Sequence, residues 1–349
     1  MIVVDIIDNI ESSRNITLQQ LRELLTTNDD ELLRCLFNRA SLTAQSVYGK
    51  KIFMRGLIEI SNHCKNDCLY CGIRCSKTSV QRYRLSAETI LDCCREGYGL
   101  GFRTFVLQGG EDPWFTDEKL VALVGQIRTE FPDCAITLSL GERSRASYQA
   151  LYDAGANRYL LRHETASPEH YARLHPHSMS FLNRMQCLND LKEIGYQVGC
   201  GFMVGSPFQT VETLYADLQF LRTFQPHMVG IGPFIPAQGT PFEGEKAGSV
   251  DITVRLLAII RLLLPKVLLP ATTALGTLHP QGREMGIAAG ANVIMPNLSP
   301  TDNRKNYSIY DNKLATGSEA AECVEQIRQS LSKIDATPAV DRGDYPSQQ

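Results

Sequence analysis

From residue 52 to residue 295 the chain repeats one pattern, a short β-branched or apolar run followed by a longer amphipathic stretch. Strands are expected near 52–60 (IFMRGLIEI), 103–108 (RTFVLQ), 134–140 (CAITLSL), 158–162 (RYLLR), 197–204 (QVGCGFMV), 227–231 (HMVGI), 267–271 (VLLPA) and 291–295 (ANVIM). Helical spacing separates them, as at 86–98, 117–130, 180–194, 209–223 and 250–264. A strand followed by a helical crossover returns parallel to its neighbour. Eight such units imply an α/β fold, a complete (β/α)8 barrel of TIM type. Functional loops then follow the C-terminal ends of the strands. An open doubly wound sheet is the alternative.

The flanks read differently. In the first fifty residues two helices are expected, one capped by Thr17 and one by Asn28 or Asp29. The expected division is a helical extension over 1–50, the barrel over 51–310, and a closing helix (315–333) with a loose tail over 311–349. The tail, DATPAVDRGDYPSQQ, is rich in turn formers and poor in apolar residues. With 43% hydrophobic and 21% charged residues the chain has material for a large core. A net charge of −3 argues against nucleic acid as a partner. The most apolar stretch, 257–272, is interrupted by Arg261, Pro265 and Lys266, so a buried helix and strand are expected there and not a membrane span. The start, MIVVDIIDNIESSR, lacks the basic region of a signal peptide. A cytoplasmic location is therefore expected, where eleven cysteines serve as thiols and metal ligands in place of disulfides.

Cys64, Cys68 and Cys71 follow the first expected strand at spacing C-x3-C-x2-C. Three thiolates suit an iron–sulfur cluster, and a cubane held by only three leaves one iron open. Zinc is the alternative, and it needs a fourth ligand such as His63 or Cys75. At the end of the second expected strand, QGGED (108–112) places two glycines where a backbone must approach a ligand or turn tightly.

The stretch CKNDCLYC (64–71), with Tyr70 before its last cysteine, resembles the signature of radical SAM enzymes. The resemblance implies a 4Fe–4S cluster whose open iron chelates the amino and carboxylate groups of S-adenosylmethionine (SAM). One electron then cleaves the sulfonium to give a 5′-deoxyadenosyl radical. It also implies that Tyr70, Gly109, Gly110 and Glu111 contact the cofactor, the GGE segment holding the methionine amino group.

Longer segments narrow the resemblance. RYLLRHETASPEHYARLHP (158–176), GFMVGSPFQT (201–210), MVGIGPFIPAQGTPF (228–242), PATTALGTLHPQGRE (270–284) and GANVIMPNLSP (290–300) resemble the HydE family of FeFe-hydrogenase maturases. The likeness spans roughly residues 15 to 310. It implies SAM contacts by Glu164 and Arg184. It implies a polar substrate cavity lined by Arg55, Gln108, Thr137, Arg162, Met228, Thr272, Thr273, Met295 and Tyr307. Two inward arginines need an anionic partner. The implied substrate is an iron–cysteine complex carrying CO and cyanide. The implied partners are the maturases HydG and HydF and an electron donor such as ferredoxin or flavodoxin. No catalytic acid or base is assigned.

The chain departs from some HydE proteins near its C-terminus. Where those carry a second cysteine triplet, this chain has Ala315, Cys323 and Gln326. One cluster is therefore expected. Two other readings stay open: a mutase like methylornithine synthase, which shares the GEDP stretch, and a non-catalytic iron–sulfur carrier. Biotin synthase is a more distant likeness.

Overall fold

The structure, a computed structural model, describes residues 4–314 and 320–346. Three helices precede the barrel: α1 (Val4–Ser13), α2 (Leu18–Thr26) and α3 (Asp30–Tyr48). The first adds to the two expected. Thr17 caps α2 in a capping box with Gln20, satisfying two otherwise orphaned amides. Asp29, not Asn28, caps α3 by accepting from the amides of Glu31 and Leu32.

The strands are β1 (Lys51–Met54), β2 (Gly56–Ser61), β3 (Thr104–Gly109), β4 (Ala135–Ser139), β5 (Arg158–Leu160), β6 (Gln197–Cys200), β7 (Met203–Val204), β8 (Met228–Val229), β9 (Gly232–Pro233), β10 (Val293–Ile294) and β11 (Thr337–Ala339). Between and after them lie α4 (Ala87–Gly99), α5 (Asp117–Glu130), α6 (Arg145–Asp153), α7 (Pro168–Leu174), α8 (Phe181–Ile194), α9 (Val211–Phe224), α10 (Val250–Leu263), α11 (Thr273–Leu278), α12 (Gly282–Ala288), α13 (Thr301–Arg304) and α14 (Val324–Lys333).

β2, β3, β4, β5, β6 and β8 form one parallel sheet in that order. Hydrogen bonds carry the ring onward from there. Val229 N donates to Leu268 O at 3.0 Å, and Ala271 N donates to Val293 O at 2.9 Å. β10 pairs with β1, and Leu57 N donates to Pro296 O at 2.9 Å, which returns the ring to β2. The barrel is thus a closed parallel ring, and the open-sheet alternative falls. The wall at 267–271 makes only isolated bridges, through Leu268 and Pro270. Pro270 has no amide hydrogen, so a regular ladder cannot pass through it.

The apolar stretch resolves as expected for a core element. α10 is buried from Thr253 through Leu263. The guanidinium of Arg261 is fully buried there, and it donates to the carbonyls of Gly290, Pro265 and Val267 and to Asn292 Oδ1. Each of its three nitrogens thus meets an acceptor, which offsets the cost of burying the charge. Among the described residues no helix is long and apolar enough to cross a membrane.

The tail differs from expectation. It is not loose, because β11 adds in parallel to β1 and the chain then turns beneath the barrel. Arg158, buried on β5, donates to Asp344 Oδ1 and to Arg342 O, both at 2.7 Å. Gln197 Nε2 donates to Asp344 Oδ1 at 3.0 Å, and the Tyr345 ring meets His227 edge-on. The closing helix begins later than expected. A 3-10 turn at Ala321–Cys323 leads into α14, and positions 315–319, Ala315 among them, lie outside the described residues.

Candidate active site

The loop from Asn62 to Arg84 leaves β2 at the C-terminal end of the barrel and carries the three cysteines. It has almost no regular structure, so side chains satisfy its backbone. Arg82 donates to the carbonyls of Asn62, Ile73, Arg74 and Lys77. Arg74 clamps Asp67 through two bonds of 2.6 Å, and Asp67 also accepts from the amide and hydroxyl of Ser76. The Arg74 bonds hold the Asp67 carboxyl well below the usual range. These bonds tie the loop's backbone to itself and to the end of β2.

β3 delivers the glycine segment against this loop. An atom added at Gly110 would lie 2.2 Å from His63 O and 2.8 Å from Cys64 Cβ. Glycine is required by close approach, not by its torsion angle, which is outside the left-handed region. Glu111 O accepts from Lys65 N at 2.9 Å, and Glu111 Oε1 accepts from Glu142 N at 3.0 Å. Asp112 is buried and tied to Ser61 and Arg84, so the last residue of QGGED fastens the turn.

Glu164 follows β5 with φ of 64°, a left-handed conformation costly for a side chain with Cβ. Its amide donates to Gly201 O at 3.0 Å, which pins the strained residue to the next strand. Glu164 Oε2 is buried without a hydrogen-bond partner and lies 3.5 Å from Arg162 Nη2. Arg162 Nε and Nη2 are likewise buried without a hydrogen bond, Nη2 having only the ion pair with Glu164. Arg184, on α8, donates from Nε to Glu142 Oε1 at 2.6 Å and from Nη1 to Arg162 O at 2.9 Å.

Tyr70 points at His175. Burial first, and the Arg184 charge further, push the imidazole down to about 3, so it is neutral at pH 7, although the Tyr171 carbonyl acts the other way. His175 Nδ1 lies 2.9 Å from that carbonyl, which only accepts, so Nδ1 carries the proton. Nε2 is then the acceptor, and the Tyr70 hydroxyl donates to it across 3.2 Å.

These groups meet in one cavity of about 340 Å³ at the C-terminal end of the barrel. Its wall includes Cys64, Cys68, Tyr70, Cys71, Gly109, Gly110, Glu111, Glu164 and Arg184, and deeper Gln108, Arg162, Thr272, Thr273, Met295 and Tyr307. Grooves of about 300 Å³ beside α3 and α12 and about 630 Å³ beside α4 and α5 hold none of these groups. Three expected lining residues do not reach the cavity. Arg55, Thr137 and Met228 sit nearer the N-terminal ends of the strands, where Arg55 Nη1 is 2.6 Å from Met228 Sδ. Leu160 and Met295 line the cavity and also pack against the Met228 cluster below it. Burial, with the Arg158 charge, lowers the Arg55 pKa well below its usual value.

Sequence reasoning missed Glu142, His175, Glu59 and Lys313, all in or against this site. His175 lies within a quoted segment, yet nothing in its spacing marks it. Lys313 lies beyond the repeating units altogether.

The residues fit a cubane cluster and SAM. Burial raises the bare thiols, Cys71 to about 12 and Cys68 well above the usual value, and a bound metal reverses that by replacing the proton. Among the described residues no three His, Cys, Asp or Glu side chains converge on one ion. A cubane does not require convergence, since each thiolate holds a different iron. The Glu164 and Arg162 atoms without hydrogen-bond partners, facing one cavity, offer charge of both signs for a zwitterionic, hydroxyl-bearing ligand.

Comparison with known proteins agrees. The Radical SAM superfamily profile matches residues 58–221. The chain is 41% identical over 339 residues to the FeFe-hydrogenase maturase subunit HydE of Thermotoga maritima, covering 97% of this chain and 96% of that one. It is 32% identical over 296 residues to 3-methylornithine synthase of Methanosarcina acetivorans, covering 84% and 83%. The crystal structure of methylornithine synthase (PylB) superposes with a TM-score of 0.84 at 28% identity, covering 96% and 97%.

Proposed function

Because the chain belongs to the HydE family of radical SAM enzymes, we propose that it acts on an iron–cysteine complex carrying CO and cyanide during assembly of the FeFe-hydrogenase cofactor. Cys64, Cys68 and Cys71 hold a single 4Fe–4S cluster, and Cys323 and Cys75 hold no metal. Gly109, Gly110 and Glu111 receive the methionyl amino group of SAM, Arg184 its carboxylate, and Tyr70 and Glu164 its remaining polar groups. When bound, cluster and SAM supply one-electron cleavage of the sulfonium and hence a 5′-deoxyadenosyl radical. The chain's own task is to hold the substrate within reach and keep water out. Gln108, Arg162, Thr272, Thr273, Met295 and Tyr307 receive the substrate, above Arg55, Thr137 and Met228. Its partners are HydG, HydF and a ferredoxin or flavodoxin, in the cytoplasm.

The observation that carries this reading is the single cavity joining three thiols, a glycine cradle and unpartnered cationic donors. The test is anaerobic reconstitution with iron and sulfide, followed by dithionite and SAM. About four irons per chain and release of 5′-deoxyadenosine are expected, both lost in Cys71→Ser and neither changed in Cys323→Ala. Absence of deoxyadenosine from loaded wild type would leave the carrier reading. The likeness to methylornithine synthase favours a second reading, a mutase. Restored hydrogenase activity in a host lacking its own HydE separates the two, because a mutase would cleave SAM and fail there.

A further inference from the structure

One wall of the cavity comes from outside the strand–helix units, from residues 305–314. This strap is fastened across the barrel mouth. Asn62 Nδ2 donates to Asn306 O at 2.7 Å, Gly72 N to Ile309 O at 2.8 Å, and Asp311 N to Pro236 O at 3.1 Å. At its end Lys313 turns inward and pairs with Glu59 of β2. Glu59 is 0% exposed and the Lys313 side chain only 9%.

A barrel interior is ordinarily filled by branched apolar side chains. A buried ion pair is no more stable than an apolar pair of the same volume, so stability does not explain its presence. The geometry does. Glu59 Oε2 accepts from Asn297 Nδ2 at 2.9 Å while its other oxygen takes Lys313, so the carboxylate is fully engaged. The ammonium has three N–H donors. One goes to Glu59 and one to Tyr307 O at 3.2 Å. Among the described residues the third meets no oxygen or nitrogen acceptor; the ammonium lies 4.9 Å from the centroid of the Tyr307 ring, and Lys313 borders the cavity. Arg162 Nε and Thr272 Oγ1, on the same cavity, also lack hydrogen-bond partners.

We propose that Lys313 is a substrate-positioning residue, which gives its remaining N–H to the carboxylate of an amino-acid-derived substrate while Glu59 keeps it aimed. This rests on the cavity being the substrate site. It adds that recognition of the carboxylate is shared between barrel and strap, so that occupancy also fastens the strap.

L-cysteine and cysteamine differ only by a carboxylate. Both are titrated calorimetrically into anaerobic, cluster-loaded enzyme saturated with SAM. Wild type is expected to bind L-cysteine roughly ten-fold or more tightly, as one charge-assisted hydrogen bond allows. The double variant Lys313→Met with Glu59→Gln leaves no uncompensated charge, and its melting midpoint reports folding. It should lose the preference. A purely structural pair would leave the preference intact in the double variant, and that result overturns the proposal. So does wild type without a preference or without binding. Should the double variant not fold, hydrogen exchange of wild-type peptides covering 305–314 decides the matter: L-cysteine but not cysteamine should slow it, and equal exchange refutes the proposal. Deoxyadenosine release by the same wild-type preparation separates failure here from failure of the proposed function.

Discussion

Gly110→Ala isolates the steric role of the glycine segment from any role in binding SAM. The new methyl would sit 2.2 Å from His63 O, 2.9 Å from His63 C and 2.8 Å from Cys64 Cβ. Ordinary carbon contacts begin near about 3.5 Å, so the two backbones must part by roughly 1 Å or more. Neither can move alone, because Gly110 N donates to Ser61 O at 3.1 Å and Lys65 N donates to Glu111 O at 2.9 Å. Overpacking of this kind costs about 1–3 kcal/mol, a fraction of the roughly 5–15 kcal/mol that holds a domain together. The protein should fold. Metal–ligand distances tolerate only about 0.2 Å, however, and Cys64 is the residue displaced. Gly109→Ala is the control, since its added atom lies 3.3 Å from Ser61 O and 3.4 Å from Leu140 Cδ2. The assay is iron and sulfide per chain after anaerobic reconstitution, with visible absorbance. Gly110→Ala should hold well under half the iron of wild type, and Gly109→Ala a near-normal amount. A Gly110→Ala protein with full iron content refutes the argument that this glycine spaces the cluster loop.

Arg184→Ala and Glu164→Ala should each weaken SAM binding roughly ten-fold at unchanged iron content, since each removes a charged contact. Equilibrium binding measures it, and unchanged affinity in both variants counts against those assignments. A pH dependence comes from the tail. Burial pushes the Asp344 carboxyl up, but the Arg158 and Arg342 guanidinium groups outweigh it and hold it at about 2. That lies below the unfolded value of about 3.9, so its stabilisation is complete above pH ~4 and is lost as pH falls toward 2. The carboxylate is 40% exposed, so screening reduces the contribution to about 1 kcal/mol. Asp344→Asn should melt below wild type at pH 7, and the gap should narrow to roughly half by pH ~3 and close toward pH ~2. A gap that stays constant across that range excludes the mechanism.

What the sequence could and could not convey follows from the range of each signal. β3 and β4 were legible because parallel strands buried on both faces read as short continuous apolar runs. The cysteine motif was legible because its ligands are neighbours in the chain. Depth along the barrel axis was not. Alternation says that Arg55, Thr137 and Met228 face inward, as Leu57, Ser139 and Gly230 also do, but one step of two residues separates the cavity from the floor beneath it. α6, α7, α11 and α12 are short and follow turns, so their periodicity barely develops. The tail was misread for a different reason. It docks by pairing charge with Arg158 and by extending β1, and neither leaves an apolar pattern behind.

Both ends of the barrel are thus finished in part by segments that do not belong to the repeat. The tail closes the N-terminal end with polar groups because Arg158 is there to be satisfied, and its Tyr345 reaches the apolar floor formed by Phe53, Met228 and Leu268. The cluster loop and the strap close the C-terminal end, joined through Gly72 and Ile309. An added atom at Gly72 would lie 2.1 Å from Ser308 O, so that joint admits no larger residue. Radical chemistry needs such a closure, since water and stray donors would otherwise intercept the reactive species. A barrel built only of its eight units has no covering for either mouth. The sequence outside the repeat therefore supplies a wall at each end of the barrel, the strap above and the tail below.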